Sequence, residues 1–331
     1  MNTYQKVFLN RIREKLDSNR DLARAIQVVL SCSADSAYRR IRCETSISLD
    51  EALLLSRHFK ISISDLETHE NDRIGFLRRP FINSAERLEH FMAQSLVHLQ
   101  SLQRDKNHCL WHVSKDFPVF YLYNFPEITA FQLYVQLRTS GHENAQLPFN
   151  ERMITSKMRE IAQAQWQVYS TLKVREVWGT FTCQSIINQI AYHVEAGLIH
   201  DKNFALLLCK QLIDVIKLIY KQTATGHHSA QKVSEGSFDL FYYETQTTEN
   251  FMLSRFEKKY VYHLMHGANN YLTTNSAELT SDIHHHVTNI EKQSILINTL
   301  PQHARNKFFA AITQKIEVLA ADIKSSNPLL L

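Results

Sequence analysis

The stretch Ser33-Ala34-Asp35-Ser36-Ala37-Tyr38-Arg39-Arg40-Ile41-Arg42-Cys43 decides how the rest of the chain is read. Ser33 is of the residue type that caps a helix N-terminus, so 34–42 reads as a short helix. On a 3.6-residue wheel Ala37 and Ile41 share one face with Ala34 near it, while Ser36 and Arg39 point nearly opposite, flanked by Asp35, Arg40 and Arg42. The helix is predicted to bury a small apolar stripe and to expose a short, basic, hydrogen-bonding face.

Upstream, Leu22, Ala23, Ile26 and Val29 mark a helix capped by Ser18 or Asn19, with Asp21 in its first turn, and Ser31-Cys32-Ser33 breaks it. Before that, Tyr4, Phe8, Ile12 and Leu16, with Val7 and Leu9 beside them, keep an i, i+4 lattice over residues 3–16. Downstream, Ser48-Leu49-Asp50-Glu51 is a capping box that opens a helix with Ala52, Leu53, Leu55 and Phe59 inward, and Ser62-Ile63-Ser64-Asp65 starts a short fifth. Only a few residues separate the second helix from the third. That is the helix-turn-helix arrangement, whose later helix lies in the major groove of DNA. Arginine suits bidentate reading of guanine and clamping of phosphate, and a serine at a helix start can hold a phosphate oxygen. Ser36, Arg39 and Arg40 are the candidates for base edges, Ser33 and Arg42 for phosphate.

Leu22-Ala23, Ser33, Ser36-Ala37-Tyr38-Arg39-Arg40-Ile41-Arg42, Ser48-Leu49-Asp50-Glu51-Ala52 and Ile61-Ser62-Ile63-Ser64-Asp65-Leu66 resemble the BetR-type N-terminal domain of bacterial transcription regulators, a relative of the phage-repressor helix-turn-helix. Ser114-Lys115-Asp116-Phe117-Pro118-Val119-Phe120 and Asn124-Phe125-Pro126-Glu127-Ile128-Thr129-Ala130-Phe131 are similar to the long C-terminal region that accompanies it. The specific part of the resemblance covers roughly residues 18–66 and implies a DNA-binding regulator. Where that family usually carries glycine after the recognition helix, this chain has Cys43. A left-handed C-cap is easy for glycine and costs other residues about 1 kcal/mol.

Composition narrows the classes. The 331 residues hold 7 Gly and 6 Pro, none of the glycines before Gly75, and no stretch reads GxGxxG or GxxxxGK[ST], which argues against glycine-rich phosphate cradles. With 44% hydrophobic and 21% charged residues the chain can bury a real core. Residues 1–80 carry 14 Lys+Arg against 11 Asp+Glu and the remainder 23 against 22, so most of the net charge of +4 lies in the first quarter. The stretch Met1–Lys15 shows no apolar h-region, which argues against secretion. The most apolar run, 204–220, is interrupted by Lys210, Asp214 and Lys217, which argues against a membrane span. Five scattered cysteines without a CxxC pair argue against a disulfide framework and for a reducing cytoplasm.

Beyond the helix-turn-helix, residues 71–83 read as a linker and 84–331 as a larger, mainly helical domain for effector binding or oligomerisation. Helices are predicted from Ser84, from Asn150, over 182–196 and 202–222, and through the last eighty residues. Phe238-Asp239-Leu240-Phe241-Tyr242-Tyr243-Glu244-Thr245, Phe251-Met252-Leu253-Ser254-Arg255-Phe256 and Tyr260-Val261-Tyr262-His263-Leu264-Met265 read as a small antiparallel β meander near 238–266. The predicted fold class is thus mainly α: a five-helix helix-turn-helix domain (1–70), then a helical domain with a small antiparallel β insert.

The seventeen histidines lack an HExxH motif, and the adjacent His284, His285 and His286 diverge on a helix, so no metal site is expected. Cys109 with His108 and His112 has no orienting third group, and no catalytic residue or cofactor is assigned. Trp111, Trp166 and Trp178 read as core packing ahead of a ligand cavity. The reading is of a cytoplasmic transcription regulator that binds duplex DNA as a homodimer, with an unknown small-molecule or protein effector. The alternative is a protein-interaction scaffold whose helix-turn-helix never meets DNA.

Overall fold

A computed structural model describes residues 3–16, 19–61, 63, 74–141, 147–228, 238–245, 250–266 and 270–325. The chain divides into two units, Met1–Gly75 and Phe76–Leu331.

In the first unit the sequence lattice folds into α1 (Thr3–Arg13), α2 (Asn19–Leu30), α3 (Ala34–Ile41) and α4 (Leu49–Phe59). Its core is Phe8, Leu9 and Ile12 from α1, Leu22 and Ile26 from α2, Ala37 from α3 and Leu55 from α4. Tyr4, Ala34 and Leu53 lie on the surface, Tyr4 65% and Leu53 40% exposed. Four short helices cover only one stripe of each neighbour, and these three fall off its edge. The fifth helix read at Ser62-Ile63-Ser64-Asp65, and Ser18 as a cap, fall on or among residues outside the described set.

The second unit overturns the mainly α reading. It holds an eight-stranded mixed sheet in the order β1-β7-β6-β5-β2-β3-β4-β8. The strands are β1 (Leu77–Arg78), β2 (Cys109–Ser114), β3 (Val174–Trp178), β4 (Phe238–Tyr242), β5 (Phe251–Phe256), β6 (Lys259–His266), β7 (Asn270–Thr274) and β8 (Ile295–Leu296). The meander predicted near 238–266 is therefore a part of a sheet that takes in both ends of the unit. Leu77 and Arg78, read as linker, pair with Leu272 and Thr273 at its edge.

β2, β3 and β4 run parallel, and β5 returns antiparallel on the far side of β2. Between the parallel strands the chain passes through α6 (Pro126–Thr139) and α7 (Ser156–Tyr169), then through α8 (Gln184–Glu195) and α9 (Lys202–Thr225). The side chains alternate between two faces, as a strand requires. Leu110, Val174, Trp178, Phe238, Leu240 and Met252 join a large core with α5 (Ala85–Arg104), α6 to α9 and α11 (Gln302–Ser325). Cys109, Trp111, Val113, Val177, Phe241 and Leu253 face the opposite way, onto Val287 and Ile290 of α10 (Ala277–Lys292). Helices thus cover both faces. Every residue of β2 is buried, and a strand covered on both sides loses the apolar–polar alternation by which a half-exposed strand is recognised. Among the described residues no helix is long and apolar enough to cross a membrane.

Candidate functional site

α3 begins where the sequence places it. Ser33 is extended (φ −69°, ψ 160°) and its hydroxyl accepts the amide of Ser36 at 3.3 Å. The hydroxyl nominated for phosphate is therefore already the helix cap, leaving it one further lone pair for a ligand. The helix closes on a Schellman turn: the Glu44 amide reaches the Arg39 carbonyl at 2.8 Å, and the Cys43 amide reaches that of Arg40 at 3.0 Å. Cys43 sits at φ 59°, in the left-handed region that glycine would enter without strain. From α1, the Gln5 amide clasps this turn through the carbonyls of Arg40 and Thr45, both at 2.9 Å, and accepts the Ile47 amide at 3.0 Å.

The three arginines have different surroundings. Arg40 is half-buried; its Nη2 donates to Glu51 Oε1 at 2.6 Å and its Nε to Oε2 at 3.3 Å, while Nη1 donates to the carbonyl and hydroxyl of Ser36. Glu51 Oε2 accepts the Ser48 amide at 3.0 Å as well, so one carboxylate closes the capping box of α4 and holds α3 beside it. The bidentate bond holds the Glu51 carboxyl below its ordinary range and Arg40 above its own. Arg42 pairs with Glu44 through Nε at 2.6 Å and Nη2 at 3.0 Å, both side chains exposed. The side chain of Arg39 is exposed and makes no hydrogen bond or ion pair among the described residues, although its charge acts on nearby Glu44. Tyr38, 44% exposed next to Arg39, also presents itself on this face, and the sequence reading missed it.

Two of the residues nominated for base edges, Ser36 and Arg40, are thus engaged with each other and with Glu51, and would read a base only by leaving it. We expect Arg40→Ala to lower the stability of the first unit by about 1–2 kcal/mol, the range for a charge-assisted pair that is only partly desolvated. If the chain binds DNA, the same change should weaken all sequences alike. A base reader would instead change sequence preference, which competition among point-substituted operators distinguishes.

The second unit contains a cavity of about 230 Å³ at the carboxyl end of β2, where β5 joins on the other side. In open α/β sheets, ligands are usually bound outside the carboxyl ends of the parallel strands, where the strand order reverses. Its lining includes His112, Ser114 and Asp116 from β2 and the turn beyond it, and Ser185, Ile186 and Gln189 from the start of α8. Asp116 accepts amides from Phe117 (2.9 Å), Cys183 (2.6 Å), Ser185 (3.1 Å) and Ile186 (3.4 Å), so it caps α8 from a distance. Burial outweighs those four donors and pushes its carboxyl up to about 6. His112 is 6% exposed, its Nδ1 has no hydrogen-bond partner among the described residues, and burial pushes its pKa down to about 3.

Behind the cavity wall Phe120 stacks on Tyr169 at 4.5 Å, and a buried polar cluster follows. Glu176 Oε1 accepts the hydroxyls of Tyr121 (2.8 Å) and Tyr169 (2.7 Å), and Oε2 accepts Trp178 Nε1 (2.9 Å). His228 Nε2 lies 2.8 Å from the Tyr121 oxygen. Burial pushes Glu176 up to about 7 against its three donors.

Cys109 and His112 emerge on opposite faces of β2, and burial pushes the Cys109 thiol up to about 11, a poor nucleophile. Among the described residues no group of three or more His, Cys, Asp or Glu side chains is placed to hold a metal ion. None of the three tryptophans lines the cavity at β2. Compared with protein-family models, curated proteins and solved structures, the chain gives no match.

Proposed function

We propose that the chain is a DNA-binding transcription regulator, acting in the cytoplasm as a homodimer, in which α3 enters the major groove and the second unit binds an effector or dimerises. The observation that carries the reading is the exposed guanidinium of Arg39, without a hydrogen bond among the described residues, on a short helix with a capped start and a tight turn before it. Arg39 takes the base edge; Arg42 and Ser33 take phosphate; Arg40 and Ser36 hold the helix in place. One half-site supplies limited affinity, hence the dimer on a two-part operator.

Selection of bound duplexes from a random pool by the full chain supplies the operator, and a palindromic winner supports the dimer. On that operator, Arg39→Ala is expected to lower affinity by about 1–3 kcal/mol and relax specificity at one position, as loss of a bidentate guanine contact does. Arg42→Ala should weaken all sequences and flatten the salt dependence by about one ion. Failure of the full chain to select or shift any duplex at low salt removes the reading.

A second reading rests on α4, where Leu49, Leu53 and Leu54 are 71%, 40% and 49% exposed. Such a cluster suits a protein contact, and in a scaffold without DNA binding Leu49→Ser with Leu53→Ser would abolish partner binding while Arg39→Ala would leave it intact.

A further inference from the structure

The cavity at the end of β2 is furnished for a ligand of restricted chemistry. Its polar lining includes the carboxamides of Gln136, Gln165, Gln189 and Asn250, of which Gln165 already donates to the Met92 carbonyl and Asn250 to Met265 Sδ, and among the described residues it contains no lysine or arginine. Among the described lining residues the one carboxylate, Asp116, is taken up by four backbone amides. Those include the amides at the start of α8, which would otherwise attract an anion. The site therefore offers an anion neither a cation nor a free helix start, and offers a cation only a carboxylate already satisfied. An uncharged ligand remains.

Two polar atoms of residues that line the cavity, Nδ1 of His112 and Oε1 of Gln189, lie just beneath its surface with no hydrogen-bond partner among the described residues, so a turn of either side chain would present them to a ligand. Buried polar atoms are nearly always satisfied by protein, water or ligand. The His112 ring, neutral because of its burial, offers one donor and one acceptor rather than a charge. The remaining walls include Phe91, Phe117, Phe120 and Tyr271, which provide aromatic surface for a ring to pack on. The volume of about 230 Å³ equals roughly eight waters at ~30 Å³ each, the bulk of a compact molecule of about eight to twelve non-hydrogen atoms. Carboxamides pair best with an edge that alternates donor and acceptor, as they themselves do.

We infer that this cavity binds a small, uncharged planar heterocycle whose edge carries both donors and acceptors, of the size and chemistry of a free nucleobase. His112 and Gln189 supply the orienting hydrogen bonds, and the aromatic walls pack on the ring. The inference deepens the regulator reading, since such a molecule would be its effector, but binding in the cavity does not depend on that reading.

The test is isothermal titration of the full chain with uracil, cytosine, adenine and hypoxanthine in turn, with glucose and adenosine monophosphate as a hydroxyl-rich and a charged comparison. The expected result is saturable one-to-one binding of at least one base, with glucose and the nucleotide at least ten-fold weaker. His112→Leu should weaken that base about ten-fold, the loss of one buried neutral hydrogen bond. If that variant does not fold, Gln189→Leu, nearer the surface, should weaken binding by a similar factor. Saturable heat from none of the four bases, tighter binding of glucose or the nucleotide, or affinity unchanged in the folded variants would each overturn the inference, the first leaving a cavity filled by water. The operator affinity measured with and without the bound base separates the two proposals. A base that binds a chain unable to shift any duplex leaves the cavity assignment standing and removes the regulator.

Discussion

Replacing Glu176 by leucine is expected to lower the stability of unit Phe76–Leu331 by about 3–5 kcal/mol, although the two side chains are similar in volume. The loss comes from donors left behind. Tyr169 Oη and Trp178 Nε1, both in the sealed interior, would face an apolar side chain, and each orphaned donor costs about 1–3 kcal/mol. Tyr121 escapes, because His228 Nε2 lies 2.8 Å from its oxygen and can turn from donor to acceptor by a change of tautomer. Two variants make the assignment specific. In Glu176→Gln the amide oxygen can still accept both tyrosines and only the bond from Trp178 is lost, so the cost should be near 1–2 kcal/mol. Adding Tyr169→Phe to Glu176→Leu removes one orphan and should return about 1 kcal/mol or more. Urea unfolding followed by tryptophan fluorescence reads this unit alone, since Trp111, Trp166 and Trp178 all lie within it. Equal stability of the leucine and glutamine variants would show that the three donors find other partners.

Glu176 also shows why the sheet escaped the sequence reading. β3, Val174–Trp178, places a glutamate at the centre of a buried strand, and only the folded positions of Tyr121 and Tyr169 reveal that it is an acceptor for inward-pointing donors. In one dimension it reads as a solvated charge. β2 and β3 are separated by two long helices, so no hairpin signal joins them, and β8 and β1 have two residues each. The helices were legible because their periodicity and caps are local: Ser33 and Ser48 both cap where the residue types place them. The capping-box role of Glu51 was legible for the same reason, whereas its pairing with Arg40 crosses a turn and depends on how α3 and α4 meet. The cavity has no motif at all, being built from glutamines on three helices that chain spacing does not connect.

The absence of glycine before Gly75 has a conformational consequence that the sequence located at only one place. Ser31, Cys43 and Lys60 lie at φ 50°, 59° and 52°, one after each of α2, α3 and α4. The amides of Cys32, Glu44 and Ile61 return to the carbonyls of Gln27, Arg39 and Ser56, the six-to-one bond of a Schellman turn. Three helix ends thus use the left-handed conformation without glycine, at about 1 kcal/mol each. The turn after α3 keeps that conformation despite Cys43. The character of the surface beside it is set by its side chains: Glu44 on Arg42, Glu51 on Arg40, and Tyr38 beside Arg39.

Acidification from pH 7 to pH 5 is expected to remove about 4 kcal/mol from the stability of the second unit, most of it below pH 6. The four most strongly shifted imidazoles set the direction, and His193 and His284, lowered by burial as well, act the same way. Burial pushes His98 down to about 4 and His112 and His228 down to about 3; burial, with His98 and Arg79 nearby, holds His263 well below its ordinary value. In the unfolded chain all four titrate near 6.5. As pH falls through that value the unfolded state takes up protons that the folded state refuses, so stability falls with pH. Two carboxyls oppose this. Glu176 is raised to about 7 and Asp116 to about 6, with a smaller rise at Asp239, so between about pH 4.5 and 6 the fold keeps protons that unfolded carboxyls have released. Their contribution is fully present below the unfolded carboxyl values and is lost as pH rises through 6 and 7. Near pH 7 the two sets almost cancel. By pH 5 the histidines exceed the carboxyls by about two protons, a slope of about 3 kcal/mol per pH unit, and the slope steepens below pH 4.5 once unfolded carboxyls protonate as well. Urea midpoints by tryptophan fluorescence at pH 7, 6 and 5 check the curve, and His112→Phe should flatten it by about one proton between pH 6 and 5. A midpoint that stays constant over that range, or a slope that His112→Phe leaves unchanged, would mean that these imidazoles do not remain neutral in the fold, and the neutral hydrogen-bonding character assigned to the cavity wall would go with them.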